Sequence, residues 1–264
     1  MDIPESNNRL RISISSQKGG VAKTTTCLSL GASLAEQGYS VLLVDLDPQA
    51  HLTQALTVDP DSLRRTVGDV LLLQANIDEV SRETEFLSMD ILPSNRGLIL
   101  VEKLLHSVNG YEFRLRASLD ALKDQFYDVV LFDCPPSFSP LTINALTVSD
   151  LVIVPVTCDF FSMQSFRAYT NLLRMVKKNL NPGLEYRLLI TMFDRRTRMS
   201  MMFLEQFREK FGNRLFDTVI PIDAKLKESS LFGRPINLYA RKARSAQEYR
   251  ALALELQSCQ KMTI

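Results

Sequence analysis

The segment Ser16-Gln17-Lys18-Gly19-Gly20-Val21-Ala22-Lys23-Thr24-Thr25 follows the run ISIS of residues 12–15 and opens a stretch of helical period. Glycines allow backbone N–H groups to turn inward toward phosphate oxygens, and a following helix adds its positive N-terminal end. In such a loop, Lys23 would lie against the β- and γ-phosphates of a nucleotide, and the Thr24 hydroxyl would ligate Mg²⁺. The spacing fits a phosphate-binding loop, although Gln17 and Ala22 replace the two glycines of G-x-x-x-x-G-K-[ST]. Because a Gly-Gly turn before a helix also arises by chance, the pattern alone leaves both interpretations open.

Apolar runs rich in β-branched residues alternate along the rest of the chain with longer segments of helical period, as is typical of a parallel sheet covered by helices. The predicted strands are Leu10–Ser15, Ser40–Asp45, Met89–Leu92, Asp128–Asp133, Leu151–Pro155, Tyr186–Thr191 and Thr218–Ile220. The predicted helices are Lys23–Gln37, Leu98–Ser107, Arg114–Gln125, Pro140–Val148, Ser165–Asn179, Met199–Phe211 and Ala246–Cys259. Helical spacing also predicts core positions for Met199, Met201, Met202, Phe203 and Phe207. We expect an α/β fold, a doubly wound and mostly parallel sheet with helices on both faces, in a single domain over residues 1–264.

Two of the predicted strands end in carboxylates. Asp45 and Asp47 close the apolar run VLLV, and Asp133 closes VVLF. Carboxylates at the end of a buried strand need a cation or polar partners, and ligands of doubly wound sheets bind outside the carboxyl ends of the strands. Taken singly, each acid is equally well a capping or turn residue. Together, downstream of a phosphate loop, they indicate a catalytic site.

Composition limits the class of protein. The chain has 264 residues, 45% of them hydrophobic, yet no apolar run approaches the roughly 20 residues that span a bilayer. Its first residues, MDIPESNNRLR, lack the apolar core of a signal peptide, so we expect the protein in the cytoplasm. Cysteines without a CxxC pair predict neither a zinc site nor a disulfide framework. We expect them to be reduced and mostly buried: Cys27, Cys134, Cys158 and Cys259.

The net charge of +1 conceals an asymmetry along the chain. Residues 1–186 carry 16 Lys and Arg against 22 Asp and Glu, whereas residues 187–250 carry 14 against 7. A basic segment on an otherwise acidic protein indicates a polyanionic partner, such as nucleic acid or anionic lipid. Solvated helix faces are the alternative explanation.

Several motifs in order resemble the ParA/MinD family of P-loop ATPases, and the resemblance extends from Ile12 to about Leu256. K-G-G-x-x-K-T-T after a strand is similar to the deviant Walker A box of that family, and D-x-D-P-Q at 45–49 and D-x-P-P at 133–136 resemble its catalytic and switch segments. T-M-x-D-x-R-T at 191–197 and the I-P…G-x-P-I stretch at 220–236 resemble the partitioning members. Ala22 and Ile222 depart from the family, which usually has Gly and Arg at these positions.

The resemblance implies a slow ATPase that binds Mg·ATP between two copies of itself. Lys18, the signature lysine, would reach the phosphates of the partner subunit and act in catalysis with Asp47, which would position the attacking water. Magnesium would be held by Thr24 directly and by Asp133 through a water. The implied nucleotide contacts are Lys18, Gly19, Gly20, Val21, Ala22, Lys23, Thr24, Thr25, Met192, Phe193, Pro221 and Ile222. A methyl group at Ala22 would crowd the backbone beside the phosphates.

The resemblance also implies non-specific binding of double-stranded DNA by the ATP-bound homodimer. The candidate phosphate contacts are Arg195, Arg196, Arg198, Lys225, Lys227, Arg241, Lys242 and Arg244. Contacts of this kind are independent of base sequence and sensitive to salt. A partner of the ParB or cargo-adaptor type would stimulate hydrolysis, so that the protein positions plasmid, chromosome or protein cargo while associated with the nucleoid.

Two other functions remain open. One is a MinD-like ATPase that cycles on membranes, although stable membrane association is not expected because residues 257–264 are polar and short. The other is a nucleotide-gated DNA-binding dimer with little hydrolysis, which the Ala22 departure leaves possible. An iron–sulfur reductase is disfavoured because Cys134, within the Pro-Pro switch, is a poor cluster ligand.

Overall fold

The computed structural model describes residues 9–86, 88–122 and 127–260, and within them one mixed sheet forms the centre of the protein. Its strands, in chain order, are β1 (Leu10–Ile14), β2 (Val41–Asp45), β3 (Arg82–Glu83), β4 (Met89–Leu92), β5 (Val129–Asp133), β6 (Leu151–Val156), β7 (Glu185–Phe193) and β8 (Leu215–Pro221). They lie in the order β3-β4-β2-β5-β1-β6-β7-β8, and all pairs are parallel except β3 with β4. The predicted fold class is confirmed.

Helices cover both faces of this sheet. They are α1 (Lys23–Glu36), α2 (His51–Gln54), α3 (Val67–Leu71), α4 (Ile77–Val80), α5 (Leu98–Leu105), α6 (Arg114–Asp120), α7 (Pro140–Val148), α8 (Phe160–Asn179), α9 (Arg198–Phe211), α10 (Ala224–Leu231), α11 (Ile236–Tyr239) and α12 (Arg244–Gln260). One core packs α1, α2, α11 and α12 on the sheet, a second packs α3 to α7, and a third lies between β6 to β8 and helices α8 and α9. Among the described residues, no helix combines the length and apolarity needed to cross a membrane.

The central strands are apolar on both faces because helices cover both. Along β2, Leu43 belongs to the first core, whereas its neighbours Leu42 and Val44 belong to the second. Successive side chains of a strand point to opposite faces, so a continuous apolar run buries both sets. Burial on two faces fixes β2 and β5 in register, and this fixes the positions at which the loops after their carboxyl ends begin.

Each predicted strand and helix is present among the described residues; Met89–Leu92 and Pro140–Val148 have the predicted bounds, and the others differ at one or both ends. The strand predicted at Thr218–Ile220 extends over Leu215–Pro221, and the helix predicted from Ser165 begins at Phe160. The predicted end of α6 at Gln125 lies outside the described residues, as do residues 1–8 and 261–264. The short elements β3, α2, α3, α4, α10 and α11 were not predicted, since two to eight residues carry too little periodicity to be recognised.

The prediction of core positions on α9 was wrong for its three methionines. Met199, Met201 and Met202 are 60%, 43% and 56% exposed, although Phe207 of the same helix is buried and Phe203 is partly buried. The buried face of α9 runs through Ser200, Leu204 and Phe207, at spacings of four and three residues that turn the methionines toward solvent. Of the cysteines, Cys27 and Cys134 are buried, Cys158 is partly buried and Cys259 is exposed.

Candidate nucleotide site

The loop after β1 takes a backbone conformation that favours glycine. Gly20 has φ +71°, and Ala22, at the N-cap of α1, has φ +64° and ψ +36°. A side chain in this left-handed region costs roughly 1–2 kcal/mol, because its Cβ approaches the following carbonyl oxygen. Alanine at position 22, where the resembled family usually has glycine, therefore strains the backbone at the start of α1.

Lys23 is buried inside the loop that precedes it. Its side chain is in the first turn of α1, and Nζ donates to the carbonyl oxygen of Lys18 at 3.2 Å. Burial lowers the pKa of Lys23, while the nearby groups of Asp133, Cys134 and Asp47 act in the opposite direction. A buried ammonium surrounded by acids is positioned to bind an anion that enters the loop.

Asp133 ends β5 directly opposite two other strand ends. It pairs in register with Ile14 of β1 and with Asp45 of β2, so three strands end at one level. The residue is 1% exposed, and neither carboxylate oxygen has a hydrogen-bond partner among the described residues. Burial and then the charge of Asp45 raise the pKa of Asp133 well above its ordinary value, and Thr24 and Lys23 oppose this rise. A buried carboxylate without a hydrogen-bond partner in the described part of the chain is suited to accept from a metal-bound water or another donor.

Asp45 supports the corner that follows β2. Its Oδ1 accepts a hydrogen bond from the backbone N–H of Asp47 at 3.1 Å, and its Oδ2 accepts from the N–H and hydroxyl of Thr53 at 2.9 and 2.7 Å. The Thr53 hydroxyl oxygen also accepts from the N–H of Ser94 at 3.0 Å. Burial raises the pKa of Asp45, and the hydrogen bonds from Thr53 oppose this effect. These bonds commit Asp45 to holding the corner in shape.

Asp47 lies on that corner and faces the cavity. Its backbone oxygen accepts from the Ser94 hydroxyl at 2.9 Å, and its Oδ1 accepts from the N–H of Gln49 at 2.9 Å. The side chain is partly exposed and lines the same cavity as Lys23 and Thr24. Asp47 therefore presents a carboxylate to the cavity from a fixed backbone position.

Two adjoining cavities meet at the loop. The first, of about 600 Å³, is lined by Gly19, Gly20, Ala22, Lys23, Thr24, Thr25, Asp47, Pro48, Gln49, His51, Ile99, Glu102, Pro135, Pro136 and Ser137. The second, of about 380 Å³, is lined by Gly20, Ala22, Thr25, Met192, Pro221, Ile222, Asp223, Leu226, Lys227 and Ser230. Gly20, Ala22 and Thr25 line both. We call the first cavity the phosphate compartment and the second the base compartment. Volumes of this size suit small ligands.

The structure brings most of the predicted nucleotide contacts to these compartments. Val21 is an exception, because it is buried and its carbonyl oxygen accepts from the Thr191 hydroxyl at 3.1 Å. Phe193 is also buried, and it lines a separate cavity of about 310 Å³ beside Arg195 and Glu248. Met192 reaches the base compartment through a bulge in β7, where its φ is +53°.

Sequence reasoning missed several residues of the two compartments. Glu102 of α5 lines the phosphate compartment, and its pKa is raised by burial and by Asp47, with His106 acting in the opposite direction. Lys227, predicted to bind DNA, lines the base compartment. Neither placement had a signal in the sequence, since α5 and α10 reach the cavity only through packing against distant elements.

Lys18 lies on the other side of the loop. It lines neither compartment, and its Nζ donates to Asp159 Oδ2 at 2.6 Å, to Thr157 Oγ1 at 3.1 Å and to Ser162 Oγ at 2.9 Å. These acceptors belong to the segment between β6 and the first turn of α8. In the subunit described, Lys18 therefore contacts its own chain and not its own phosphate compartment.

The cations predicted to bind DNA are all exposed, but they differ in their partners. Arg196 pairs with Asp194 at 2.8 Å, Lys225 with Glu228 at 2.7 Å and Arg195 with Glu248 at 3.7 Å. In the part of the chain that the structure describes, the remaining five form no ion pair: Arg198, Lys227, Arg241, Lys242 and Arg244.

Comparisons with known proteins agree with this geometry. A family model described as an AAA domain matches residues 10–186. The sporulation initiation inhibitor protein Soj of Bacillus subtilis is 39% identical over 246 residues, which cover 93% of this chain and 97% of Soj. The chromosome partitioning protein ParA of Caulobacter vibrioides is 38% identical over 254 residues, 95% of each chain. A crystal structure of cobyrinic acid a,c-diamide synthase from Mycobacterium smegmatis, with bound ATP analogue and magnesium, has a TM-score of 0.82 at 36% identity and covers 96% of both chains.

Proposed function

Because the chain belongs to the ParA/Soj family of partitioning ATPases, we propose that it binds Mg·ATP, closes into a homodimer, and coats DNA without regard to base sequence. A partner protein of the ParB or cargo-adaptor type then stimulates hydrolysis and release. Cycles of this kind position a plasmid, a chromosome or a protein cargo over the nucleoid in the cytoplasm. The observation that carries the proposal is the pair of compartments sharing the loop at Gly20, Ala22 and Thr25.

The residues of the phosphate compartment fit a nucleotide with magnesium. The two oxygens of Asp133 are buried and have no hydrogen-bond partner in the described ranges, and a metal-bound water would satisfy them. Thr24 would supply the other ligand from the start of α1. Magnesium at this position would neutralise charge on the β- and γ-phosphate oxygens. Lys23 and the N–H groups of the loop would hold the same phosphates, as in P-loop proteins.

Hydrolysis would depend on Asp47. Its carboxylate can accept a hydrogen bond from a water and hold it facing the terminal phosphate. Asp45 and Ser94 keep the Asp47 backbone in place, so the water would be positioned with little loss of entropy at the moment of reaction. Lys18 would complete the site from the partner subunit by stabilising charge on the transferred phosphoryl group.

DNA binding would use the exposed cations of the carboxyl-terminal half. Arg241, Lys242 and Arg244 are consecutive or nearly so at the start of α12, and none is engaged in an ion pair within the described ranges. Each phosphate that such a residue neutralises releases counterions, so the affinity should fall steeply with salt. Phosphate contacts carry no base information, which agrees with non-specific binding.

A nucleotide-gated DNA-binding dimer with little hydrolysis is the second candidate. The left-handed backbone of Ala22 supports it, because strain beside the phosphates weakens the preference for one closed loop geometry. The two candidates share nucleotide and DNA binding and differ in turnover.

DNA binding measured with ATP, with ADP and without nucleotide, over a series of salt concentrations, tests the proposal. We expect binding to arbitrary sequences that requires ATP and weakens with salt. Lys23→Ala is the control. It should not bind ATP, and it should therefore fail to bind DNA in all three nucleotide states. Equal affinity in the three nucleotide states would contradict the switch. A chain that stays monomeric when saturated with a non-hydrolysable ATP analogue and magnesium would contradict the dimer.

A further inference from the structure

We propose that Asp159, with Thr157 and Ser162, is a storage site that holds Lys18 on its own subunit until a nucleotide-bound partner takes it. The inference rests on the proposed function, in which Lys18 acts on the partner's phosphates. It adds positioning residues that lie outside both compartments and that no motif of the sequence indicated.

The first support is the number of acceptors around Lys18. A lysine ammonium has three N–H bonds, and the structure supplies three oxygens within 2.6 to 3.1 Å: Asp159 Oδ2, Ser162 Oγ and Thr157 Oγ1. All three come from one short segment after β6. Lys18 cannot reach a phosphate on another subunit without giving up these bonds, so storage and action in trans exclude each other.

The second support is that the storage site is organised by its own chain. Asp159 caps α8, with Oδ1 accepting from the N–H of Ser162 at 2.9 Å, which leaves Oδ2 to face Lys18. The hydroxyl oxygens of Thr157 and Ser162 lie 2.6 Å apart, and each is within hydrogen-bonding distance of Asp159 Oδ2, at 2.5 and 3.1 Å. Each hydroxyl has one hydrogen to donate, either to the carboxylate or to the other hydroxyl. Although burial acts in the opposite direction, hydrogen bonds from Lys18, Thr157 and Ser162 lower the pKa of Asp159 to about 2. The carboxylate therefore stays charged at every pH at which the protein would work.

The third support is the sheet topology. β1 lies between β5 and β6, so the loop after β1 has a neighbour on each side. Asp133, whose charge acts on Lys23, lies on the β5 side, and the storage site lies on the β6 side. The side chains of Lys18 and Asp159 are 30% and 38% exposed, so the pair can open toward a second subunit without unfolding. Charge-assisted hydrogen bonds at such a position are strong enough to bias an equilibrium and weak enough to exchange.

The test replaces the carboxylate while keeping the helix cap. Asp159→Asn removes the charge, and asparagine is as good an N-cap as aspartate. We expect Lys18 of the nucleotide-free protein to react with acetic anhydride about five times faster, relative to the exposed Lys178, as measured by peptide mass spectrometry. We also expect about fivefold tighter dimerisation with a non-hydrolysable ATP analogue. Ser162→Ala should shift both quantities in the same direction and by less.

Asp59→Asn is the matched control, because Asp59 also caps a helical turn, the exposed 3₁₀ turn at 60–62, and forms no ion pair with any residue that the structure describes. Unchanged acylation of Lys18 in Asp159→Asn, relative to this control, would overturn the storage site. Faster acylation with unchanged or weaker dimerisation would overturn its role in restraining the dimer. If acylation changes but neither variant nor parent dimerises with nucleotide, the storage contact stands and the proposed function fails.

Discussion

The phosphate compartment and the basic carboxyl-terminal surface show how differently buried and exposed charges acquire a role. Beside the compartment, Asp45 and Asp133 lie in register at two strand ends, yet Asp45 accepts hydrogen bonds from Thr53 whereas Asp133 has no hydrogen-bond partner among the described residues. On the surface, eight exposed cations look alike in the sequence, and three of them are paired with neighbouring acids. A buried charge without a partner has a large unfavourable free energy because it is poorly solvated, so an unpartnered buried carboxylate indicates a binding role. On the surface, solvent weakens each ion pair, so DNA binding depends on the summed charge of the exposed cations.

Replacing the buried cation should break the compartment most completely. Lys23→Ala removes the ammonium from among the acids and the phosphates, and loss of one partner of a buried charge pair costs about 3–5 kcal/mol. We expect ATP affinity to fall by roughly a thousandfold, which removes dimerisation and turnover with it. Titration with a fluorescent ATP analogue measures this change. The exposed Lys178→Ala is the control, and retained affinity in Lys23→Ala would refute the assignment.

Replacing the carboxylate that faces the cavity should separate binding from chemistry. Asp47→Ala leaves the loop, Lys23 and Asp133 in place but removes the group that would position water. A positioned acid or base contributes about 100-fold or more to a proton-transfer step. We expect stimulated phosphate release to fall by about that factor, while ATP-dependent dimers persist in size-exclusion chromatography. Full stimulated turnover in this variant would show that another group orients the water.

The surface should respond through net charge and not through single contacts. Lys242→Ala removes a cation that pairs with no acid among the described residues, and we expect the magnitude of the slope of log K against log salt to fall by about 0.9 for DNA binding with ATP. The double replacement Asp194→Asn with Arg196→Gln removes a pair and leaves net charge unchanged, so the slope should stay the same. An equal fall in both variants would show that Arg196 leaves Asp194 to contact DNA.

The smallest effect concerns the strained loop. Ala22→Gly places the residue suited to φ +64° at the start of α1, and relief of strain should exceed the added entropy of the unfolded chain. We expect a gain of about 1 kcal/mol, or a rise of about 2 °C in Tm. Thermal unfolding measures it. Ala32→Gly, inside α1 with ordinary helical geometry, should instead lose about 1 kcal/mol. A loss in Ala22→Gly would mean that the loop relaxes in solution.

Local sequence determined the order of the elements and the residues at the ends of the strands. Apolar runs fixed β1, β2 and β5 by burial on both faces, and the Gly19-Gly20 turn before Lys23 placed a phosphate loop between a strand and a helix. These features depend on neighbours in the chain, so periodicity and turn chemistry report them.

Tertiary structure alone decided which charges are free and which are held. Packing turned the α9 methionines outward, brought Glu102 and Lys227 to the compartments, engaged Asp45 with Thr53, and joined Lys18 to Asp159 across 141 positions of chain. A charge takes its role from the groups that surround it in space, and those groups come from distant segments. For that reason the motifs predicted the site, while the availability of each group in it required the fold.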